Sequence, residues 1–227
     1  MRFGDLNWMD VEAYLKQDDR VMLVLGATEQ HGYLSLATDS RIPLAFADAA
    51  SKATGVLIVP ELNFGVSPFF LSFPGTISLK SDTYVKVVED IIESLYGYGF
   101  KKILVLNGHS GNDLIRAKLV ELANRMDGLK IGWYAWWESH GVEVLAQKYE
   151  LRLEHAGWME AFPFNRVADL PQGQKNPVAV IGMLNASETR AAYGNGVFGG
   201  HYQVDGHIMD EMFSVCLADI LYILNNL

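Results

Sequence analysis

The chain has 227 residues, half of them apolar, and a formal net charge of −9 from 27 acidic and 18 basic side chains. This composition favours one domain, residues 1–227, and disfavours nucleic acid as a partner, because phosphate binding needs concentrated positive charge. No apolar run is long enough to span a bilayer, no signal-peptide pattern is present and Cys216 is the single cysteine, so we expect a soluble, cytoplasmic protein with no membrane partner and no disulfide framework.

Short apolar runs alternate with helical patterns along much of the chain. The runs that predict strands are 21–27, 55–62, 101–108 and 129–137. The patterns that predict helices are 41–54, 81–99, 111–126 and a final helix from about Met209 to Leu224. Continuous apolar strands that alternate with helices are typical of parallel sheets covered on both faces. We therefore predict a three-layer α/β/α fold with a mainly parallel sheet.

Local signals mark the ends of some of these elements. Ser81 is predicted to be the N-cap of the long middle helix, and Gly97 and Gly99 are predicted to end it. The stretch FPGTISL, residues 73–79, predicts a turn that leads into a short strand. Residues 150–210 are less regular and are expected to hold a hairpin, loops and an oligomer contact.

Two of the predicted strands end in side chains that commonly bind metal ions. Glu29, His31 and Asp39 follow the first strand, and His109 follows the third within NGHSGN. Because ligands of open α/β sheets bind outside the carboxyl ends of the strands, these side chains are predicted to converge there. Imidazoles and carboxylates together suit Zn²⁺ or Mn²⁺, and a carboxylate can bridge two such ions. Each residue alone is also compatible with a solvated loop or a helix cap.

A third segment, LEHAGWMEAF, supplies Glu154, His155 and Glu160. A carboxylate beside a histidine can set its tautomer or raise its pKa, which suits a proton donor near neutral pH. An exposed, charged helix start is the alternative interpretation of this segment.

The order of four motifs, GATEQHG…TD, FPGTISL, NGHSGN and EHAGWME, resembles that of the creatininase (creatinine amidohydrolase) family. The resemblance implies a Rossmann-like α/β fold, assembly as homohexamers, and a dinuclear metal centre that hydrolyses cyclic or linear amide C–N bonds. By the same resemblance, Asp39 would be the bridging ligand and His155 the histidine that handles protons. The remaining metal ligands implied are Glu29, His31 and His109, with Glu160 on an acidic position near the metals.

The chain also departs from the motifs of that family. Its first motif is one residue shorter and lacks the second histidine. Gly111 stands where creatinine-hydrolysing members carry a glutamate ligand, and Trp158 stands where an acidic residue is common. The second metal must therefore lose a ligand or take Glu160 instead, and creatinine is not the expected substrate.

These observations lead to one mechanistic hypothesis for a small-molecule amide substrate. One or two divalent ions per chain, Zn²⁺ or Mn²⁺, activate water, and His155, oriented by Glu154, protonates the departing nitrogen. The predicted metal ligands are Glu29, His31, Asp39, His109 and Glu160.

Three alternatives stay open at this point. A deformylase or peptidase would use the same centre on a linear amide. A non-catalytic metal-binding or scaffold paralogue is favoured by Gly111 and Trp158. A nucleotide-binding Rossmann protein is disfavoured, because no G-x-G-x-x-G follows the first strand.

Overall fold

Four parallel strands form the central sheet in the computed structural model of the protein, which describes residues 1–227. The strands are β1 (Arg20–Leu25), β2 (Leu57–Ile58), β3 (Lys102–Asn107) and β4 (Lys130–Ala135). Their order in the sheet is β2-β1-β3-β4. The predicted parallel sheet is confirmed, although β2 is much shorter than its apolar run. Pro60, which has no N–H to donate to a ladder, follows β2 closely.

The chain has seven α-helices, and six of them cover the two faces of the sheet, which confirms the predicted three layers. The seven helices are α1 (Trp8–Leu15), α2 (Thr38–Thr54), α3 (Ser81–Tyr98), α4 (Arg116–Arg125), α5 (His140–Lys148), α6 (Ala186–Tyr193) and α7 (Gly206–Asn226). Helices α2, α5 and α7 cover one face of the sheet, and α1, α3 and α4 cover the other. None of these helices combines the length and apolar composition that crossing a bilayer requires.

The core lies on both faces of the sheet because successive strand residues point to opposite sides. On β1, Met22 and Val24 pack with Phe46 of α2, whereas Leu23 and Leu25 belong to the opposite cluster with α3 and α4. All five side chains are fully or almost fully buried. A buried side chain of this size contributes about 1.5–3 kcal/mol relative to exposure, so the two clusters hold the ends of β1 and β3 in fixed positions.

Several local predictions need correction. Lys80, not Ser81, is the N-cap residue of α3, and no side chain caps that helix. Gly97 lies inside α3, which ends at Gly99 with φ 116°. The stretch 73–79 forms only one antiparallel bridge, between Ile77 and Thr28, rather than a strand.

The segment 150–210 contains a small antiparallel ribbon instead of a tight hairpin. Its strands are β5 (Gln174–Lys175) and β6 (Gly200–His201), and α6 lies between them in sequence. The helices α1, α5 and α6 were not predicted. The ribbon and α6 matter for function, because the loop between α6 and β6 borders the cavity described below.

Candidate metal centre

The carboxyl ends of β1 and β3 lie against the first turn of α2. A Cβ atom on Gly26, after β1, would lie 2.2 Å from Ser40 Oγ, and one on Gly108, after β3, would lie 1.8 Å from the main-chain oxygen of Asp39. Only glycine fits at these two positions without movement of the helix. The close approach brings Asp39 between the loops that follow the two strands.

The loop after β1 presents Glu29 and His31 to the same space. The main-chain N–H of Glu29 donates to Leu36 O at 2.9 Å, and Leu34 N–H donates to His31 O at 2.8 Å, so the loop folds back on itself. Glu29 and His31 are each 1% exposed. Buried polar side chains of this kind need partners, and Asp39 lies near His31 without giving its Nε2 a well-directed hydrogen bond.

Main-chain carbonyls fix the orientation of both histidine rings. His31 Nδ1 donates to Glu29 O at 3.1 Å, and His109 Nε2 donates to Val66 O at 3.0 Å. The remaining nitrogens, His31 Nε2 and His109 Nδ1, lie 2.9 and 3.1 Å from the two different carboxylate oxygens of Asp39. Fixing one ring nitrogen to aim the other is the usual arrangement around metal-binding histidines.

Asp39 is shared by two groups of three possible ligands. One group is Glu29, Asp39 and His109, and the other is His31, Asp39 and Glu160; the ligand atoms within each group lie within 4.8 Å of one another. Glu160 enters from a turn that follows His155, and its Oε1 lies 3.7 Å from His31 Nε2. The structure therefore brings together all five side chains that the sequence suggested as ligands.

The chemistry of this cluster fits divalent ions. Glu29 Oε2, His31 Nε2 and Asp39 Oδ2 are buried without a hydrogen-bond partner. Such orphaned atoms are rare in folded proteins unless an ion or water satisfies them, and carboxylates with imidazoles are suitable ligands for Zn²⁺ or Mn²⁺.

The pKa shifts show that the cluster attracts positive charge. Burial lowers the pKa of both histidines, but the facing carboxylates outweigh it: Asp39 and Glu160 raise the pKa of His31, and Glu29 and Asp39 raise that of His109 to about 9. Burial raises the pKa of Glu29 to about 7, despite the opposing effect of His109. The histidine protons supply the positive charge that a bound cation would otherwise provide.

Gly111 leaves no room for a side chain at the position of the expected glutamate. A Cβ atom there would lie 2.0 Å from Val66 O and 2.5 Å from His109 Nε2. Glu160 is the carboxylate that stands beside His31 instead. Its Oε2 accepts from Ala156 N–H at 2.6 Å, and Ala156 has the left-handed φ of 58°.

His155 lies next to the cluster, but Glu154 does not orient it. The Nε2 atom of His155 contacts Gln30 twice, at 3.0 Å from its side-chain nitrogen and 3.2 Å from its main-chain oxygen. Its Nδ1 is 3.9 Å from Glu29 Oε1. No hydrogen bond joins Glu154 to the ring, so the predicted orienting role belongs to Gln30. Burial, aided by His31, lowers the pKa of His155 to about 4, opposite to the direction predicted from Glu154.

A cavity of about 350 Å³ opens onto Glu29 and His155. The His155 ring stacks on Phe70 at 4.8 Å between centroids and contacts Phe198 at 4.9 Å. Sequence reasoning missed Gln30 and Phe198, as well as Ser67, whose buried Oγ lies 3.2 Å from His109 Nε2. The position of Gln30 between two candidate ligands was the one available signal, whereas Phe198 reaches the site only through tertiary packing.

Comparisons with known proteins agree with this geometry. The Creatininase family model, described as creatinine amidohydrolase, matches residues 4–224. Creatinine amidohydrolase of Pseudomonas putida is 34% identical over 129 residues, which are 54% of this chain and 50% of that protein. The mycofactocin precursor peptide peptidase of Mycobacterium ulcerans is 32% identical over 126 residues, 51% of this chain and 49% of that protein. The matches thus span about half the length of these curated relatives.

The fold is shared with solved structures over nearly the whole chain. A mutant creatininase described as Zn-Zn type superposes with a TM-score of 0.83 at 23% sequence identity, covering 99% of this chain and 97% of that one. At this identity the similarity establishes the fold, and the chemistry has to be argued from the site itself.

Proposed function

The chain belongs to the creatininase family, and from that membership we propose that it is a metal-dependent hydrolase that cleaves a C–N amide bond of a small cyclic or linear amide. The observation that carries the proposal is Asp39, whose two oxygens face two separate groups of buried ligand atoms. A shared carboxylate between two such groups is typical of two-metal hydrolytic centres.

Five side chains would hold the ions. Glu29, Asp39 and His109 form one site, and His31, Asp39 and Glu160 form the other. The ions proposed for these sites are Zn²⁺ or Mn²⁺, and when bound they would supply Lewis acidity, which lowers the pKa of water and polarises an amide carbonyl. The Zn-Zn form of the mutant creatininase supports zinc as the first ion to test.

His155 is the residue proposed to move the proton. Its lowered pKa keeps the ring neutral near pH 7, so Nδ1 can accept a proton from the attacking water. The same proton then passes to the nitrogen of the breaking C–N bond, which leaves as an amine. The Nε2–H of this tautomer donates to the main-chain oxygen of Gln30 at 3.2 Å in both steps, and Phe70 and Phe198 cover the ring and restrict the access of bulk water.

A linear amide is a second candidate substrate, so a deformylase or peptidase activity remains in view. The 32% identity to a precursor peptide peptidase favours it. A non-catalytic metal-binding or scaffold protein would keep the ions without turnover. Screening cyclic amides, formamides and short peptides against the metal-loaded protein separates these possibilities.

We predict that the protein reconstituted with Zn²⁺ or Mn²⁺ retains about two ions per chain after desalting. His109→Ala is expected to lose the ion of its group, because one of three side-chain ligands is removed. His155→Ala is expected to keep the metal and to lose roughly 10²–10⁴-fold in kcat. Elemental analysis gives the metal content. The rate at which each protein hydrolyses the best substrate from the screen gives kcat.

The measured metal content decides whether the metal centre exists. Fewer than about 0.2 ions per reconstituted wild-type chain would contradict the proposed metal centre. Normal metal content in His109→Ala rejects the ligand assignment. Full activity in His155→Ala rejects the proton-transfer role while leaving the metal centre in place.

We also propose that the chains assemble as homohexamers. Trp8 and Tyr98 line one groove and are 71% and 73% exposed, and exposed apolar surface of this kind marks interaction sites. Sedimentation equilibrium is expected to give the mass of six chains of 25.3 kDa each. A monomer at micromolar concentration would contradict this assembly.

A further inference from the structure

The walls of the cavity beside His155 are mostly apolar. Seven of the twelve lining residues are apolar, and together they are called the aromatic pocket: Phe69, Phe70, Val180, Met183, Leu184, Tyr193 and Phe198. The other five are Gly182, Ser110, Thr189 and the site residues Glu29 and His155. The volume of about 350 Å³ is at the small end of ligand cavities. A ligand that fills it is therefore small, and most of its surface contacts carbon.

No charged side chain in the lining is free to pair with a charged ligand. The two acid–base groups of the lining, Glu29 and His155, belong to the metal and proton-transfer machinery. Arg190 of α6 is close in sequence to the pocket wall, but its Nη1 donates to Ser72 O at 2.6 Å. A buried charge without a partner is costly, so a carboxylate or phosphate on the part of the ligand that faces the aromatic wall, away from the ions, would be disfavoured.

The aromatic wall is arranged for flat groups. The rings of Tyr193 and Phe198 stack with a centroid separation of 4.0 Å and an angle of 13°. Phe70 stacks on His155 at 14°, and it meets Phe198 at 5.8 Å with a 43° tilt. Aromatic and other planar groups gain from stacked and tilted contacts of this geometry beyond their buried area.

Lys175 of β5 holds this wall in place. Its Nζ donates to Tyr193 O at 2.6 Å, to Asn195 Oδ1 at 2.8 Å and to Val197 O at 2.6 Å. Three bonds from one ammonium group tie the loop that carries Tyr193 and Phe198 to the ribbon. The side of the pocket formed by Tyr193 and Phe198 is thus held in place before a ligand arrives, which lowers the cost of binding.

We infer that the aromatic pocket selects an uncharged amide that carries a flat apolar group, about the size of a phenyl ring, next to the bond that is cleaved. That the ligand is an amide rests on the proposed function. The preference for an apolar group follows from the walls of the pocket alone.

Three probes that differ in one feature test the inference: benzamide, acetamide and 4-carbamoylbenzoate. Dissociation constants are measured by ligand-observed NMR on the metal-loaded protein at pH 7 and on the chelated protein. We expect benzamide to bind roughly 10- to 100-fold more tightly than acetamide, because the phenyl ring is buried. We expect 4-carbamoylbenzoate, the same ring with an added carboxylate, to bind at least about tenfold more weakly than benzamide.

Substitutions in the pocket test whether it causes the preference for benzamide over acetamide. Phe198→Ala is expected to remove most of the difference in affinity between these two probes. Met183→Lys places a cation in the lining, and because the Met183 side chain is 92% exposed, the substitution should not affect folding. The added positive charge should raise the affinity for 4-carbamoylbenzoate several-fold. Ile181→Lys, two residues away, 99% exposed and outside the lining, is the matched control and should change nothing.

Equal affinity for the three probes overturns the inference, and so does an unchanged affinity for 4-carbamoylbenzoate in Met183→Lys. Elemental analysis of the same samples keeps the two proposals apart. Normal metal content with no benzamide preference rejects the apolar selectivity and leaves the hydrolase proposal standing. Absent metal rejects the hydrolase proposal, while benzamide binding to the chelated chain still decides the selectivity.

Discussion

Asp39 is the side chain that joins the two halves of the candidate site. One carboxylate oxygen faces His31 and the other faces His109, at 2.9 and 3.1 Å. Because a single carboxylate cannot neutralise two divalent ions, each half needs a further anionic ligand. In the proposed centre Glu29 would supply it on one side and Glu160 on the other. We therefore propose that Glu160 replaces the ligand absent at Gly111.

Glu160→Gln tests that replacement directly. The amide keeps the size of the side chain but removes the charge, so we expect the metal content to fall from about two ions per chain to about one. Elemental analysis after dialysis against micromolar Zn²⁺ is the measurement. Glu154→Gln is the matched control, because Glu154 lies in the same segment without facing the cluster, and it should retain both ions. Two tightly held ions in Glu160→Gln would show that His31 and Asp39 suffice.

The clustering of the five candidate ligands could be predicted at the residue scale, but the residues that contact the histidines around them could not. Glu29, His31 and His109 stand out because charged or imidazole side chains follow apolar strands. Gln30 has no such chemical signature, and its contact with His155 joins positions 125 residues apart. The prediction for Glu154 failed for the same reason, since proximity in sequence was taken for contact in space.

At the scale of elements, the site depends on how closely two strand ends approach α2. The apolar runs of β1 and β3 were predictable because both faces of a parallel strand are buried. Helix α1 was not, because none of its residues is buried and the packing signal is correspondingly weak. The position of the end of β3 relative to α2 cannot be predicted from the sequence either, yet the contact between Gly108 and Asp39 O depends on it.

Gly108→Ala should therefore damage both stability and metal binding. Its Cβ would lie 1.8 Å from a main-chain oxygen, which side-chain rotation cannot relieve, so we expect a loss of at least about 2 kcal/mol in the free energy of unfolding. Urea denaturation of the chelated protein measures it. Gly97→Ala is the matched control, because nothing lies within 4 Å of that position inside α3. It should be neutral or stabilising by up to about 1 kcal/mol. Equal stability of the two variants would contradict the close approach.

At the scale of the whole molecule, the metal centre joins segments that are far apart in the chain. Its ligands come from the loop after β1, the start of α2, the loop after β3 and the turn at Trp158–Glu160. Without a cation, three of these segments place buried carboxylates close together, at Glu29, Asp39 and Glu160. Bound ions would remove that repulsion and link these segments through Asp39.

Removal of the metal should consequently lower the stability of the entire domain. An ion at 1,000 times its Kd contributes about 4 kcal/mol to the native state, and for a chain of this size each kcal/mol shifts Tm by about 2–4 °C. We therefore expect chelation to lower Tm by roughly 10 °C or more, measured by calorimetry on the same sample before and after EDTA. His155→Ala should show the full shift, because the proposed ligand set does not include that ring, whereas Asp39→Asn should show almost none. A shift of wild-type size in Asp39→Asn would mean that the stabilising ions bind elsewhere in the chain.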